Sequence, residues 1–447
     1  MDQAQPKSFL ERFLSLFSEV RSGEGITALL LFFNLFILMT SYYIMKPVRE
    51  ALILSGGGAE VKSYAAAGQA ILLLGAVPLY GLLAGRLNRK TLINTVTVFF
   101  TLCLGLFYLL AQLNVPLGVL FYLWLGIFNL MVPAQFWAFS NDLYTPKAGK
   151  RIFVIIAFGA NTGAILGTII TEMLIQPLGI YQLLLVAGAL LILNLLITNF
   201  IITREKQAGP ASKDEGEATT EEPIGKEGSF QLVFSSKYLL AIAFLMLFLN
   251  WVNTTGEYIL GKTVLNAATE AVAGGRAGGL TVEQYIGTFY AGFFRIVNVA
   301  TLLIQLFVVS RILKYLGTRI AILFLPIIAL FGYGILAFSP VIAIAIVQWA
   351  KTAENATDYS LQNTVRQILF LPTSRAQKYK AKQAIDSFFV RAGDVLSAIL
   401  VYAGTVWFAF QVKHFALVNL VLVFVWLTLA YIIGRQNQNM VSREDLR

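Results

Sequence analysis

One cysteine, Cys103, and one histidine, His414, occur in a chain of 447 residues. The lone cysteine excludes an internal disulfide, and the lone histidine removes support for a histidine-based metal site or proton relay. Charge is also scarce, at 13% of residues against 57% hydrophobic. No small-residue cleavage site follows a basic start, so no signal peptide is expected. Nor does any nucleophile–base arrangement, metal set or cofactor motif emerge, so the chain is not expected to be an enzyme and no cofactor is assigned. The net charge of +10 does not point to nucleic acid, because most basic residues fall in short loops between apolar runs, as retention on the cytoplasmic side requires.

What the chain has instead is apolar blocks long enough to cross a hydrocarbon core of about 30 Å. About twelve such spans are predicted, near residues 26–46, 64–85, 91–111, 117–141, 152–173, 180–203, 237–261, 284–310, 319–338, 341–364, 383–410 and 414–434. Connections carrying Arg86, Arg89 and Lys90, then Lys147, Lys150 and Arg151, then Arg311, Lys314 and Arg319, then Arg375, Lys378, Lys380 and Lys382 contain no acidic residue. The alternate connections at 112–116, 174–179 and 339–340 contain no Lys or Arg. Both termini are therefore expected in the cytoplasm, with the protein as a multi-pass component of a bacterial inner membrane. Residues 1–25 form an N-terminal segment whose Phe9, Leu10, Phe13, Leu14, Phe17 and Val20 share one helical face, predicting a surface-lying amphipathic helix. Two six-span bundles, 26–203 and 237–434, are expected around a flexible linker at 204–236, with a cytoplasmic tail at 435–447. The linker begins with a polar stretch rich in Glu and Asp.

The two bundles repeat. LFFNLFILMTSYYIMK and LFLNWVNTTGEYILGK align without a gap, pairing Asn34 with Asn250, Tyr42 with Tyr258 and Lys46 with Lys262, each 216 residues apart. Parallel duplication of six spans is the signature of major-facilitator-type carriers, whose site lies near the midplane. The fold class expected is thus an all-α polytopic membrane protein with a 6+6 pseudo-twofold bundle. The loop Gly81 to Lys90 resembles the glycine-to-basic loop of that superfamily, with Gly85 where an aspartate is usual.

Gly256-Glu-Tyr-Ile-Leu-Gly261-Lys262-Thr263 fits the Walker A pattern, yet that loop needs a preceding strand and free backbone amides. Here it ends a membrane helix. The chemistry is sought instead in charges inside spans, each costing roughly 2.5–3.5 kcal/mol at mid-bilayer and usually kept for an aqueous path or a bound ion. The candidates are Tyr42, Lys46, Arg49 and Glu50 on or just beyond the first span, and Asn250, Glu257 and Lys262 on or just beyond the seventh. Arg295 and Asn298 follow on the eighth, Lys351, Glu354, Asn355 and Asp358 on the tenth, and Arg391 and Asp394 on the eleventh. Arg295, Lys351, Glu354 and Arg391 are expected deepest, with Lys46 and Arg49 near the outer mouth. These charges either line a water-accessible cavity or pair internally to hold the bundle. Gly159, Gly163 and Gly167 recur every four residues and are expected to serve helix packing.

The string Tyr42-Tyr43-Ile-Met-Lys46-Pro47-Val-Arg49-Glu50-Ala51-Leu52, followed by Gly58-Ala59-Glu60-Val-Lys62-Ser-Tyr64, resembles the opening of the ATP/ADP translocase family of nucleotide antiporters. The resemblance covers roughly residues 20–90. It implies that Lys46 matches the family's functional lysine and Arg49-Glu50 its neighbouring basic–acidic pair, with Asp142, Glu257, Lys351 and Arg391 as candidates for further positions. The expected function is exchange of nucleotides by a monomeric carrier, with a nucleotide or other anionic small molecule as partner in the lipid bilayer. A proton-coupled carrier of another organic solute, with Glu257 or Asp358 titrating, and a non-transporting scaffold remain as alternatives.

Overall fold

A computed structural model describes residues 24–144, 146–207, 228–374 and 377–444. The predicted amphipathic stretch 8–20 and most of the linker lie outside the described residues.

Among the described residues the secondary structure is helical, without strands. The helices are α1 (Gly25–Arg86), α2 (Arg89–Gln112), α3 (Gly118–Leu143), α4 (Pro146–Leu178), α5 (Ile180–Gln207), the short α6 (Ser229–Ser235) and α7 (Lys237–Ala273). Then come α8 (Val282–Leu303), α9 (Val309–Tyr315), α10 (Gly317–Ala321), α11 (Phe324–Phe338), α12 (Ile344–Thr357), α13 (Asn363–Leu369), α14 (Lys382–Ala384), α15 (Val390–Tyr402) and α16 (Val412–Glu444). Five π turns, at 304–308, 358–362, 377–381, 385–389 and 403–407, interrupt this second series.

Nine stretches among the described residues are long and apolar enough to cross a membrane. The first of these, Gly25–Leu83, has 59 residues, about 90 Å of helix at 1.5 Å per residue and so enough for two crossings. The sequence places a connection between spans at 47–63. The structure instead continues the helix through it and bends at Gly58, whose φ of 82° and ψ of 177° suit only glycine. The runs 344–369 and 377–407 are less apolar, because Lys351, Glu354 and Asp358 interrupt the first and Asp386, Arg391 and Asp394 the second. With these three additions the count reaches the twelve expected.

The chain divides into two compact units. The first holds α1 up to Leu52 and again from Leu73, α2 to α5, and Glu283–Arg295 of α8. Here α1 lies against α4 and α5. A Cβ at Gly159, Gly163 or Gly167 would run into the carbonyl oxygens of Phe32, Phe36 and Thr40, so the glycine stripe is where α4 meets the α1 backbone. On the other side Asn34 donates to the carbonyl of Asn194 (3.0 Å) and to Thr198 (2.8 Å), and Asn194 donates back to the Asn34 carbonyl (2.8 Å). Rings of Phe100, Phe107, Phe121, Trp124 and Phe128 fill the space between α2 and α3.

The second unit holds Ile53–Leu72 of α1, α6 and α7, and α8 from Ile296 onward to α16. Its centre is α7, which meets α15 at Gly393 beside the Leu247 carbonyl and at a Thr255–Ser397 hydroxyl pair (2.9 Å). Asn419 of α16 donates to the Val252 carbonyl (3.0 Å). Gly393 occupies on α15 the place that Gly159 occupies on α4, so both halves use a glycine to seat the helix that opens them.

Candidate functional site

The predicted residues gather into four groups. In the first unit Tyr42, Lys46, Arg49 and Glu50 occupy two successive turns of α1, since residues three and four apart share a helix face. The Lys46 ammonium sits 4.0 Å from the centre of the Phe294 ring and 5.2 Å from that of Tyr43, a cation–π seat. Arg49 pairs with Glu50 and lies 4.7 Å from the Tyr122 ring centre. Tyr42 packs beside Tyr43 and Phe128. Arg295 forms its ion pair with Glu172 of α4, both side chains about one-third exposed (38% and 34%).

The second group is the most enclosed. On α12 Lys351 and Glu354 face each other at 3.2 Å, with side chains only 2% and 6% exposed. Lys351 also reaches Glu257 of α7 at 3.6 Å and donates to the Asn253 side chain at 2.8 Å. Asn355 donates to Glu257 (3.2 Å), and the Tyr333 hydroxyl donates to Glu354 (2.9 Å). From α1, Lys62 approaches the other oxygen of Glu257 at 3.6 Å. One carboxylate thus stands between two buried ammonium groups. The arrangement depends on Gly256, where a Cβ would collide with the Tyr333 hydroxyl and lie 3.1 Å from the Lys351 nitrogen. A small pocket bounded by Gly256, Tyr333, Ala350, Lys351 and Glu354 opens beside this pair.

In the third group Asp394 accepts from Asn250 (2.8 Å), Thr254 (2.7 Å) and Arg391 (3.2 Å), while Asn250 also donates to the Val390 carbonyl (2.7 Å). Asn250 therefore clamps α15 to α7, as Asn34 clamps α5 to α1. The fourth group joins Lys262 to Glu60 at 2.7 Å, with the Tyr258 hydroxyl donating to the same carboxylate (3.0 Å). The Walker-like residues are continuous helix within α7. Gly256 and Gly261 give room to Tyr333, Lys351 and Leu54 there, and nothing in the helix cradles phosphate.

Two predicted residues stand apart. Asp358 opens the π turn 358–362 within electrostatic reach of Lys351 and Arg366. Asn298 lies buried on α8 in the second unit, its Nδ2 without a hydrogen-bond partner among the described residues. Enclosure follows a different order from depth along the helices. Glu50 and Lys46 are buried, whereas Arg295 and Arg391 are more than one-third exposed (38% and 37%).

Sequence reasoning passed over Lys62, Glu60, Glu172, Asn253 and Tyr333. Glu60 and Lys62 stood in the stretch expected to be a connection, where charge is ordinary. Glu172 stood inside a span, and the cost of an acid in lipid was signal enough to find it.

The Major Facilitator Superfamily profile matches residues 7–371. ADP,ATP carrier protein 1 of Chlamydia pneumoniae is 21% identical over 347 residues, covering 68% of this chain and 64% of the carrier. Its namesake in Chlamydia muridarum is 20% identical over 346 residues, covering 68% of this chain and 61% of the carrier. The chain spans less than two thirds of the length of these relatives. Among solved structures, the nucleoside transporter NupG superposes with a TM-score of 0.63 at 15% identity, covering 93% of this chain and 98% of that one. A bacterial homolog of the human lysosomal transporter Spinster, in its inward-facing unoccupied form, gives 0.60 at 13% identity with the same coverage. A peptide transporter POT gives 0.62 at 16%, covering 96% and 99%. At these identities the likeness is one of fold. A helical bundle with charge buried along its spans, and a superfamily profile matched across most of its length, together mean that the chain is a multi-pass membrane protein and belongs to the Major Facilitator Superfamily.

Proposed function

We propose that the protein exchanges nucleotides of the ADP/ATP type by alternating access. The observation that carries this reading is the carboxylate of Glu257 held between Lys62 and Lys351, 3.6 Å from each. Burying an ion costs several kcal/mol, and apolar residues of like volume often hold a protein together at least as well as a buried ion pair. Such charges are kept where they are used. At 3.6 Å both pairs are looser than charge-assisted hydrogen bonds of about 2.7–2.9 Å. A polyphosphate, with more oxygens and more negative charge, competes with Glu257 for both lysines. When it leaves, Glu257 closes the pair again, so the empty carrier never holds bare cations.

In the first unit Lys46 and Arg49 each lie against an aromatic ring. The likeness of residues 42–52 to the ATP/ADP translocases and the distant similarity to chlamydial ADP,ATP carriers support the same substrate. We further propose an inner-membrane location, both termini cytoplasmic, a monomer, and six-helix halves at 26–203 and 237–434.

Purified protein in vesicles loaded with ADP is the test. External labelled ATP should enter in exchange, and Lys351→Gln or Lys46→Ala should abolish entry. Uptake that needs a pH gradient and ignores nucleotides would replace this reading with proton-coupled transport of another solute. Folded protein that moves nothing would leave a scaffold.

A further inference from the structure

Beyond Lys351, charges of alternating sign continue along the second unit. Glu257 meets Lys351, Asp358 lies within reach of both Lys351 and Arg366, and Asp386 lies within reach of both Arg366 and Lys382. Asp358, Gln362 and Arg366 follow at four-residue steps across the π turn into α13, so they share a face, and π turns recur at functional sites. Arg366 stands about 22 Å along the helix from Lys351.

This lower part of the ladder is incompletely bonded. Gln362 is 2% exposed, yet neither its Nε2 nor its Oε1 has a hydrogen-bond partner among the described residues. Arg366 Nε and Asp386 Oδ1 are likewise buried and unpartnered. Arg366 does reach Asn363 through its terminal nitrogen (3.0 Å). A network built only to hold helices together would satisfy these atoms, because an orphaned buried polar group costs about 1–3 kcal/mol. Four orphaned atoms at neighbouring positions mark a place where something else bonds.

We propose that Arg366, with the Gln362 amide beside it, forms a second subsite for the phosphate groups of a travelling anion, a way-station between Lys351 and the Lys382 end of the unit. Asp358 and Asp386 act there as Glu257 acts above, as counter-ions that yield to phosphate and return when it moves on. Arg366 is suited to the role because its planar fork meets phosphate oxygens two at a time. The inference rests on the anionic-substrate reading above, but not on the identity of the nucleotide.

The opposed signs of Arg366 and Asp386 make the subsite testable with inorganic pyrophosphate as probe, by calorimetry on the purified full-length protein. Arg366→Gln should weaken pyrophosphate binding about tenfold, and Arg366→Lys, which keeps the charge, should weaken it less. Asp386→Asn, by removing the competing carboxylate, should tighten it severalfold. A purely structural ion pair predicts otherwise: both changes would lower the melting temperature and neither would tighten binding. No pyrophosphate binding to the unaltered protein, equal affinity in Arg366→Gln, or weaker binding in Asp386→Asn would each overturn the subsite. Arg366-dependent pyrophosphate binding without ATP/ADP exchange in vesicles would leave the subsite standing and remove the nucleotide reading. Nucleotide exchange with pyrophosphate affinity indifferent to Arg366 would do the reverse.

Discussion

Replacing Glu257 by glutamine keeps the shape of the side chain and removes the charge shared by Lys62 and Lys351. Each lysine lies 3.6 Å from that carboxylate, worth about 5 kcal/mol of attraction at an effective dielectric of 20. The two ammonium groups, both in contact with one carboxylate, are at most about 9 Å apart and repel by about 2 kcal/mol on the same scale. Glu257 is 24% exposed, so water recovers part of the loss, and Glu354 still faces Lys351. A net destabilisation of about 2–4 kcal/mol is therefore expected, at and below the low end of the roughly 3–5 kcal/mol for breaking a fully buried pair. At roughly 2–4 °C per kcal/mol for a unit of this size, the melting temperature in detergent should fall by about 5–15 °C.

Pyrophosphate should then raise the melting temperature of Glu257→Gln more than that of the unaltered protein, because an anion can take the vacated place. Exchange should behave differently from binding. Apparent substrate affinity should rise while the maximal rate falls at least tenfold, since nothing displaces the product. A variant that melts within a degree of the unaltered protein and exchanges nucleotide at the same rate would refute the reasoning, because Glu257 would then be neither a counter-ion nor a competitor.

Gly163→Val should prevent stable accumulation in the membrane, because even a Cβ there meets the Phe36 carbonyl and overpacking costs about 1–3 kcal/mol; a blot of membrane fractions reads this. Glu60→Lys and Lys262→Glu should each lower the melting temperature and together restore most of it. The pair is about one-third exposed, so the coupling in a double-mutant cycle should be about 1 kcal/mol. Asn250→Leu should cost about 2 kcal/mol in thermal unfolding, since Asp394 and the Val390 carbonyl both lose a donor.

Architecture was legible in the sequence wherever the signal was local. Apolar runs fixed the spans, and the spacing of Gly159, Gly163 and Gly167 announced a close helix contact before its partner was known. The repeat pairs Asn34 with Asn250 but does not reveal what either residue does. Both asparagines clamp neighbouring helices, a fact held in Asn194 and Val390 far along the chain. The same distance hid the partners of Glu257. Periodicity placed Lys351, Glu354 and Asn355 on one face, yet Lys62 enters from a segment that hydropathy reads as a connection. Helix continues there because only Gly58 need bend. Ion pairs between residues so far apart leave no periodic trace, so the chain showed which charges were costly and the fold shows which ones meet.

The π turns have a bearing on how the two halves have diverged. An added residue wound into a helix rotates all that follows by about 100° unless a bulge absorbs it. The spacing between matching positions grows along the chain, from 216 residues at Asn34 and Asn250 to 234 at Gly159 and Gly393, so the second copy is the longer over this stretch. Its five bulges let it take in residues without losing the alignment of its helices. The longer half also carries the ladder from Glu257 to Lys382. Deleting one residue from 358–362 should return that stretch to plain α-helix and leave Arg366 on the face of Asp358, with everything before and after it in register.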